Sequence, residues 1–397
     1  MKVAFDARSL VSPVLRGWDR YTVSLARALV RQGVEVTFFH RARQPLHADH
    51  CNRVGCEVRS LDDLCGVHWE QVAVPLALAR GQFDIYHAPA ETGVPLAAPC
   101  PVVLTLHSAT RASYKDMLRR GVLPGSIEQY LGPQPRRIHR VFYQASQLRR
   151  ATHVLTPSEF SRGEIVSLLG FAPERVTVTP LAADEEFHRP RRELAAIEEN
   201  LARLGVRRPY LLYVGGYEPH KNVRGLLDVF ACVHRVRSEL TLVTVGSKGL
   251  PAEMPAKAAD LGLCAGRAVV FLINLSKELT DLYDGAELFL TMSWRESFCL
   301  PALEAMTRGR QVVGSAWGAL GEVVGDSGRL VDPRNIPQAA NEVLTALESA
   351  DDPVTAARVR RRAAEFDWDR AADQTLEVYV RLAKKQRHGT SAEGRRR

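Results

Sequence analysis

The chain has 397 residues, 46% of them hydrophobic and 25% charged, with a net charge of +8. That composition excludes a disordered or fibrous protein and supplies apolar material for two ordinary domain cores, while no stretch approaches the roughly 20 apolar residues of a membrane span. Asp6 comes too early for a signal peptide, and seven cysteines without a CxxC pair read as reduced thiols in a cytoplasmic protein.

Strand and helix patterns alternate along the whole chain. The first half predicts strands at 3–5, 34–39, 85–87, 102–106, 154–156 and 176–179, with helices between them such as 21–32 and 158–169. Residues 181–208 are charged and polar, with a short helical run between Pro190 and Pro209, and mark a domain boundary. The second half predicts strands at 210–214, 240–245, 269–272, 288–292 and 311–314, and helices at 222–237, 279–285, 301–308 and 337–350. Strands alternating with helices of this length predict α/β domains with doubly wound parallel sheets. The division is a first domain over 1–185, a linker over 186–208, a second domain over 209–365, a final helix over 366–385 and a basic disordered tail over 386–397. Such domains bind ligands at the carboxyl ends of their strands, in the cleft between them.

The stretch 292–305 is the most informative. A strand leads into a loop holding Glu296, and Pro301 opens a helix that carries Glu304 on its first turn. A helix N-terminus suits a phosphate, and acids beside it could grip a sugar hydroxyl and a ribose. The loop 215–222 is comparable: Gly215 and Gly216 permit close backbone approach, and Lys221 precedes a helix starting near Asn222, so lysine and helix end together could hold a diphosphate. His107 ends a strand, where a satisfied polar group and a catalytic one are both open readings.

Charge is unevenly placed. Residues 111–150 carry nine basic groups (Arg111, Lys115, Arg119, Arg120, Arg136, Arg137, Arg140, Arg149 and Arg150) against Asp116 and Glu128, and the last 17 residues carry seven against Glu393. A solvated face is the ordinary reading; an anionic partner, whether membrane surface, phosphorylated acceptor or nucleic acid, is the alternative.

Taken in order, these segments resemble the retaining glycosyltransferases of family 4. The resemblance covers residues 1 to about 385 and rests on 3–8 with 16–21, 83–89, 103–107, 154–161, 212–222, 279–286, the Glu296-x7-Glu304 pair, 321–326, 330–333 and 366–372. It implies the GT-B fold, two Rossmann-like domains facing a central cleft, with the final helix returning to the first domain. It further implies a nucleoside-diphosphate sugar as co-substrate, GDP-mannose or a UDP-sugar, with no cofactor and no metal. Glu296 is implied at the reacting face of the donor sugar, Glu304 at the ribose, and Lys221 at the diphosphate. Leu300, Pro301 and Ala302 are implied to cap the phosphate through their backbone. Gly17 and Gly216 are implied in loops against it, Ile273 and Asn274 at the nucleobase, and His107 near donor sugar and acceptor. The acceptor class implied is a saccharide, a lipid-linked saccharide or a small molecule, and the basic 111–150 stretch points to peripheral contact at the inner face of the membrane.

Three departures stand out. His220 occupies a position where the family usually has arginine, Ser297-Phe298-Cys299 replaces Gly-Phe-Gly, and Trp18-Asp19 stands where Ile-Gly is common. They keep open a catalytically impaired partner subunit as the alternative, beside nucleic-acid binding through 111–150, where Tyr114, Tyr130, Phe142 and Tyr143 interleave with the basic groups. Asp367-Trp368-Asp369 mimics a metal-binding Asp-x-Asp but reads as a helix cap. His47, His50, Cys51, Cys56, Cys65 and His68 fit no standard zinc spacing and read as loop and helix residues.

Overall fold

The computed structural model describes residues 1–12, 17–131, 148–246, 249–275 and 277–394. They form two compact units. One comprises the described residues of Met1–Asp116, Pro133–Leu181 and Asp367–Arg397; the other comprises those of Met117–Gly132 and Ala182–Phe366.

The first unit holds seven strands: β1 (Lys2–Asp6), β2 (Glu35–Arg41), β3 (Glu57–Leu61), β4 (Ile85–Ala88), β5 (Val102–Thr105), β6 (His153–Thr156) and β7 (Val176–Val178). All pair in parallel, in the order β3-β2-β1-β4-β5-β6-β7. Val3, Ala4, Phe5, Ile85 and Tyr86 are wholly buried, as expected of central parallel strands covered on both faces. The edge strand β3, Glu57-Val-Arg-Ser-Leu, escapes prediction because three of its five residues are exposed and it needs no apolar run. The sheet order reverses between β1 and β4, the place where an open α/β sheet offers its crevice.

The second unit repeats the plan with β8 (Tyr210–Val214), β9 (Thr241–Gly246), β10 (Val269–Ile273), β11 (Leu288–Thr291), β12 (Gln311–Ser315) and β13 (Arg329–Val331). The order is β10-β9-β8-β11-β12-β13, again all parallel, and the switch point lies between β8 and β11. β13 is the second edge strand that the sequence pattern does not show. Leu226, Leu227 and Phe230 of the helix Val223–Val236 pack with Leu242, Leu290 and Val343 in its core.

The boundaries differ from those predicted. Residues 186–208 are not a linker but part of the second unit, because the helix Leu194–Arg203 buries Ile197, Asn200 and Leu201 and lies against the helix Leu279–Gly285. Asn200 donates to Asp281 at 2.8 Å, and Arg192 pairs with the same carboxylate at 2.5 Å. The helix Ile127–Leu131, predicted inside the first domain, groups with the second unit and lies against the turn Pro219–Lys221.

The final helix runs over Trp368–Gly394, beyond the predicted 385 and into the segment read as a disordered tail. Asp367 caps it, accepting from the Asp369 and Arg370 amides at 2.7 and 3.1 Å, so the Asp-x-Asp lookalike is a helix cap. The helix packs along Gly17–Arg31, with Arg31 and Asp369 2.6 Å apart. No described helix is long and apolar enough to cross a membrane.

Candidate active site

In the second unit, the loops after β8 and β11 are stitched together. Trp294 donates its amide to His220 O at 2.8 Å, and Asn222 Nδ2 donates to Met292 O at 2.9 Å. Asn222 also caps the helix Val223–Val236, its side chain accepting from the Gly225 amide. This brings Lys221 Nζ within 2.9 Å of both Glu296 oxygens, and Ser293 donates to Glu296 Oε1 at 2.7 Å. Glu296 is 7% exposed and the Lys221 side chain 23%. Burial works against both charges, but each outweighs it for the other. Glu296 is held below the ordinary carboxylate range by Lys221 and Ser293, and the Lys221 ammonium is raised by Glu296. At neutral pH the site holds a carboxylate and an ammonium, and the lysine can turn to an entering anion.

The helix Leu300–Thr307 begins immediately after this loop, with Pro301 in its first turn. Ala302 N donates to Cys299 O at 3.0 Å; Leu300 precedes Pro301 at the very end, where helix amides are available to an anion. Glu304 is 2% exposed on that helix, and Tyr283 OH donates to its Oε2 at 2.8 Å. Gly215 N donates to Val245 O, and Gly216 O accepts from Tyr213 OH. Ile273, at the carboxyl end of β10, is 43% exposed. Asn274 follows in a left-handed conformation, its amide bonded to Gly246 O. Ser247 and Lys248, between two of the expected loop positions, lie outside the described residues.

The first unit carries the other expected residues. His107, just after β5, donates from Nε2 to Pro89 O at 3.1 Å, which leaves Nδ1 as the acceptor. Burial pushes its pKa down to about 4, so the imidazole is neutral. Tyr21 presents its ring edge-on at 4.9 Å. Tyr21 OH shares a 2.7 Å hydrogen bond with Thr105, Thr105 another with His87, and His87 a third with Tyr379 OH on the final helix at 2.5 Å. Gly17 is the exposed first residue of Gly17–Arg31, and a side chain there would meet nothing within 4 Å. Residues 13–16 of that loop lie outside the described residues.

Residues 15–187 match the family described as Glycosyltransferase Family 4, and residues 208–349 match Glycosyl transferases group 1. The O-antigen chain mannosyltransferase B of Escherichia coli is 30% identical over 293 residues, covering 68% of this chain and 75% of that protein. The chain belongs to the family 4, group 1 glycosyltransferases. The glycosyltransferase is also 32% identical to the MMP alpha-(1->4)-mannosyltransferase of Mycolicibacterium hassiacum, covering 77% of this chain and 72% of that one. A D-inositol 3-phosphate glycosyltransferase of Kineococcus radiotolerans is 29% identical over 92% of this chain and 90% of its own. Anabaena Alr3699/HepE, solved with UDP and glucose, shares the fold at TM-score 0.71 and 19% identity, over 96% of this chain and all of that one. Two parallel-sheet α/β domains and this likeness establish the GT-B fold.

Two of the three departures from the family pattern have a physical consequence in the glycosyltransferase. His220 has its pKa pushed down to about 4 by burial and by Lys221, so this position supplies no cation. Cys299 sits at φ +82°, the left-handed region that favours the glycine usual there. Its thiol is pushed well up by burial and by Glu296, which makes it unreactive. Phe298 stays anchored edge-on against Phe366 at 5.6 Å.

Sequence reasoning missed four supports of the site. Ser293 and Tyr283 position the two glutamates. Arg295, 5% exposed, lies close enough to His220 to lower it further. Gly318 (φ +88°) lets the loop after β12 close on Glu296, where a Cβ would come within 2.5 and 2.6 Å of the Glu296 backbone O and N; Ala319 N then donates to Glu296 O at 2.9 Å. The available signal is the glycine at 318, in the short loop between β12 and the helix Leu320–Val324.

In the zinc-like cluster, His50 Nε2 bonds Ser12 O at 2.7 Å, the His47 and His50 rings lie 5.1 Å apart, and Cys51 and Cys56 are pushed up by burial. No group of three potential metal ligands converges among the described residues. In the basic stretch, Arg111, Lys115 and Arg119 lie on the helix Thr110–Arg119, Arg120 follows it, and Tyr114 is buried; Arg136, Arg137, Arg140, Phe142 and Tyr143 lie outside the described residues.

Proposed function

We propose that the protein transfers a hexose from a nucleoside-diphosphate sugar to a hydroxyl acceptor with retention, and that GDP-mannose is the donor. The observation that carries this reading is the Lys221–Glu296 pair beside the N-terminus of Leu300–Thr307. Lys221, with the helix end, neutralises the diphosphate, a task otherwise given to a metal, and stabilises it as it leaves. Glu296, released from Lys221, accepts from hydroxyls of the donor sugar, and Glu304 from those of the ribose. The bond from the anomeric carbon to the diphosphate oxygen breaks, the acceptor oxygen bonds to that carbon on the same face, and the acceptor proton passes to the departing phosphate oxygen. Neutral His107, with Nδ1 as acceptor, orients a hydroxyl rather than donating a proton. Mannose is favoured because two of the relatives above are named mannosyltransferases. The acceptor class is a saccharide, free or lipid-linked.

The test is nucleotide release across GDP-, UDP-, ADP- and dTDP-sugars, with Glu296→Ala and Lys221→Ala beside wild type. Release from GDP-mannose that both variants lose supports the reading. Release from another donor replaces mannose, and turnover unchanged in both variants removes the site assignment.

A further inference from the structure

The second unit holds a cavity of about 440 Å³ lined by five arginines, Arg191, Arg192, Arg208, Arg310 and Arg360. The parallel sheet brings two of them together: Arg208 lies two residues before β8 and Arg310 immediately before β12, so both stand at amino ends of strands. Arg191 and Arg192 precede the helix Leu194–Arg203, and Arg360 comes from the helix Pro353–Ala363. Lys221 and Glu296 follow the carboxyl ends of β8 and β11, at the opposite edge of the same sheet.

The five differ in what holds them. Arg192 pairs with Asp281 at 2.5 Å and Arg208 with Glu287 at 3.4 Å. The Asp284 carboxylate is taken by Arg308, at 2.8 and 2.6 Å. Arg310 is left with main-chain carbonyls, Tyr283 O at 3.1 Å and Asp284 O. Arg191 has Asp284 O alone, at 2.9 Å. Arg360 lies over Gly309, where a Cβ would come within 2.6 Å of its guanidinium, and its side chain bonds no described residue. Two acids also line the cavity, Glu193 and Asp351, but both are exposed and neither holds one of these arginines.

Among the described residues, then, Arg191, Arg310 and Arg360 share one cavity without a carboxylate partner. Arg310 is 9% exposed; burial and then Arg191 disfavour its charge, and Asp284 and Glu287 offset this only in part. A buried cation facing another is costly unless an anion joins them. Guanidinium forks match phosphate oxygens in pairs. A chloride or a single carboxylate balances one of these charges, whereas linked phosphates balance them together.

We propose that this cavity binds a small molecule carrying linked phosphate groups, at a site separate from the Lys221–Glu296 pair. Binding there does not depend on the donor, because the two sites lie at opposite edges of the sheet.

Phenylglyoxal labelling of arginines in the full chain, read by peptide mass spectrometry against rising inorganic pyrophosphate, tests it. Pyrophosphate protects Arg191 and Arg360 in wild type, and at the same concentration in Lys221→Ala. Arg191→Gln raises the concentration that protects Arg360 by roughly tenfold or more, the loss of a hydrogen bond to a charged group. Arg360→Gln does the same to the protection of Arg191. If Arg191→Gln melts early, Arg360→Gln decides, because the Arg360 side chain holds no other part of the fold. No protection of either arginine, a folded Arg360→Gln protected at the wild-type concentration, or sulfate protecting as well as pyrophosphate at equal ionic strength overturns the proposal. Protection lost in Lys221→Ala traces the effect to the donor side and overturns it as well. Turnover enters neither readout, so failure here leaves the donor reading untouched.

Discussion

Replacing Lys221 with methionine keeps the apolar stem but removes the ammonium that lies 2.9 Å from both Glu296 oxygens. The remaining carboxylate is 7% exposed and retains the Ser293 hydroxyl as a donor. Leaving a buried charge without its partner costs about 3–5 kcal/mol, and the system sheds part of that by taking up a proton. In wild type the folded-state pKa of Glu296 is depressed, so its contribution to stability is present above the unfolded value of about 4.3 and is lost as pH falls through the folded one. In Lys221→Met, burial without the lysine raises the folded-state pKa. Its contribution is then present below about 4.3 and lost as pH rises through the new value. The two proteins converge in acid and separate by about 3 kcal/mol at neutral pH. Urea denaturation of both across a pH series measures the gap. Lys221→Met/Glu296→Gln recovers most of it, because neither charge remains to be desolvated. A gap that ignores pH, or a double variant no more stable than the single one, refutes the reasoning.

Gly318→Ala forces a Cβ against the Glu296 backbone at φ +88°, so it costs about 2 kcal/mol or more and lowers nucleotide release, both read from melting and turnover. Cys299→Gly, which relieves the φ of +82°, is neutral to within about 1 kcal/mol, whereas the β-branched Cys299→Val costs about 2 kcal/mol; equal effects would mean that the backbone is not strained there. Glu304→Ala raises the donor KM roughly tenfold or more, the loss of a hydrogen bond to a charged group, with kcat changed less; calorimetric titration with GDP gives the same ratio. His87 has its pKa pushed down to about 3 by burial. As a base with a depressed pKa it contributes stability that is present above about 6.5 and lost as pH falls below it. His87→Phe therefore removes about one proton from the acid limb of unfolding, and a limb as steep as wild type's counts against the buried neutral imidazole.

Periodicity alone determined the alternating plan, because central parallel strands such as Val3–Phe5 and Leu288–Met292 must be apolar to be covered on both faces. The glutamates, Lys221 and the helix start at Pro301 were legible from strand–loop–helix order, since local chemistry dictates where a helix offers its amides. Other features depended on tertiary structure. The edge strand β3 has three of its five residues exposed, and β13 is three residues long with only Val331 buried, so neither leaves an apolar run. Residues 186–208 look like a linker because their polarity serves partners far along the chain, Asn200 and Arg192 at Asp281. The state of the site was also settled in space. Whether His220 is a cation and how low Glu296 titrates depend on which charges lie within a few ångströms. Whether Cys299 is strained depends on the φ that the packed loop imposes. Burial, the charges brought against each side chain and the torsion of the packed loop exist only once the chain has folded.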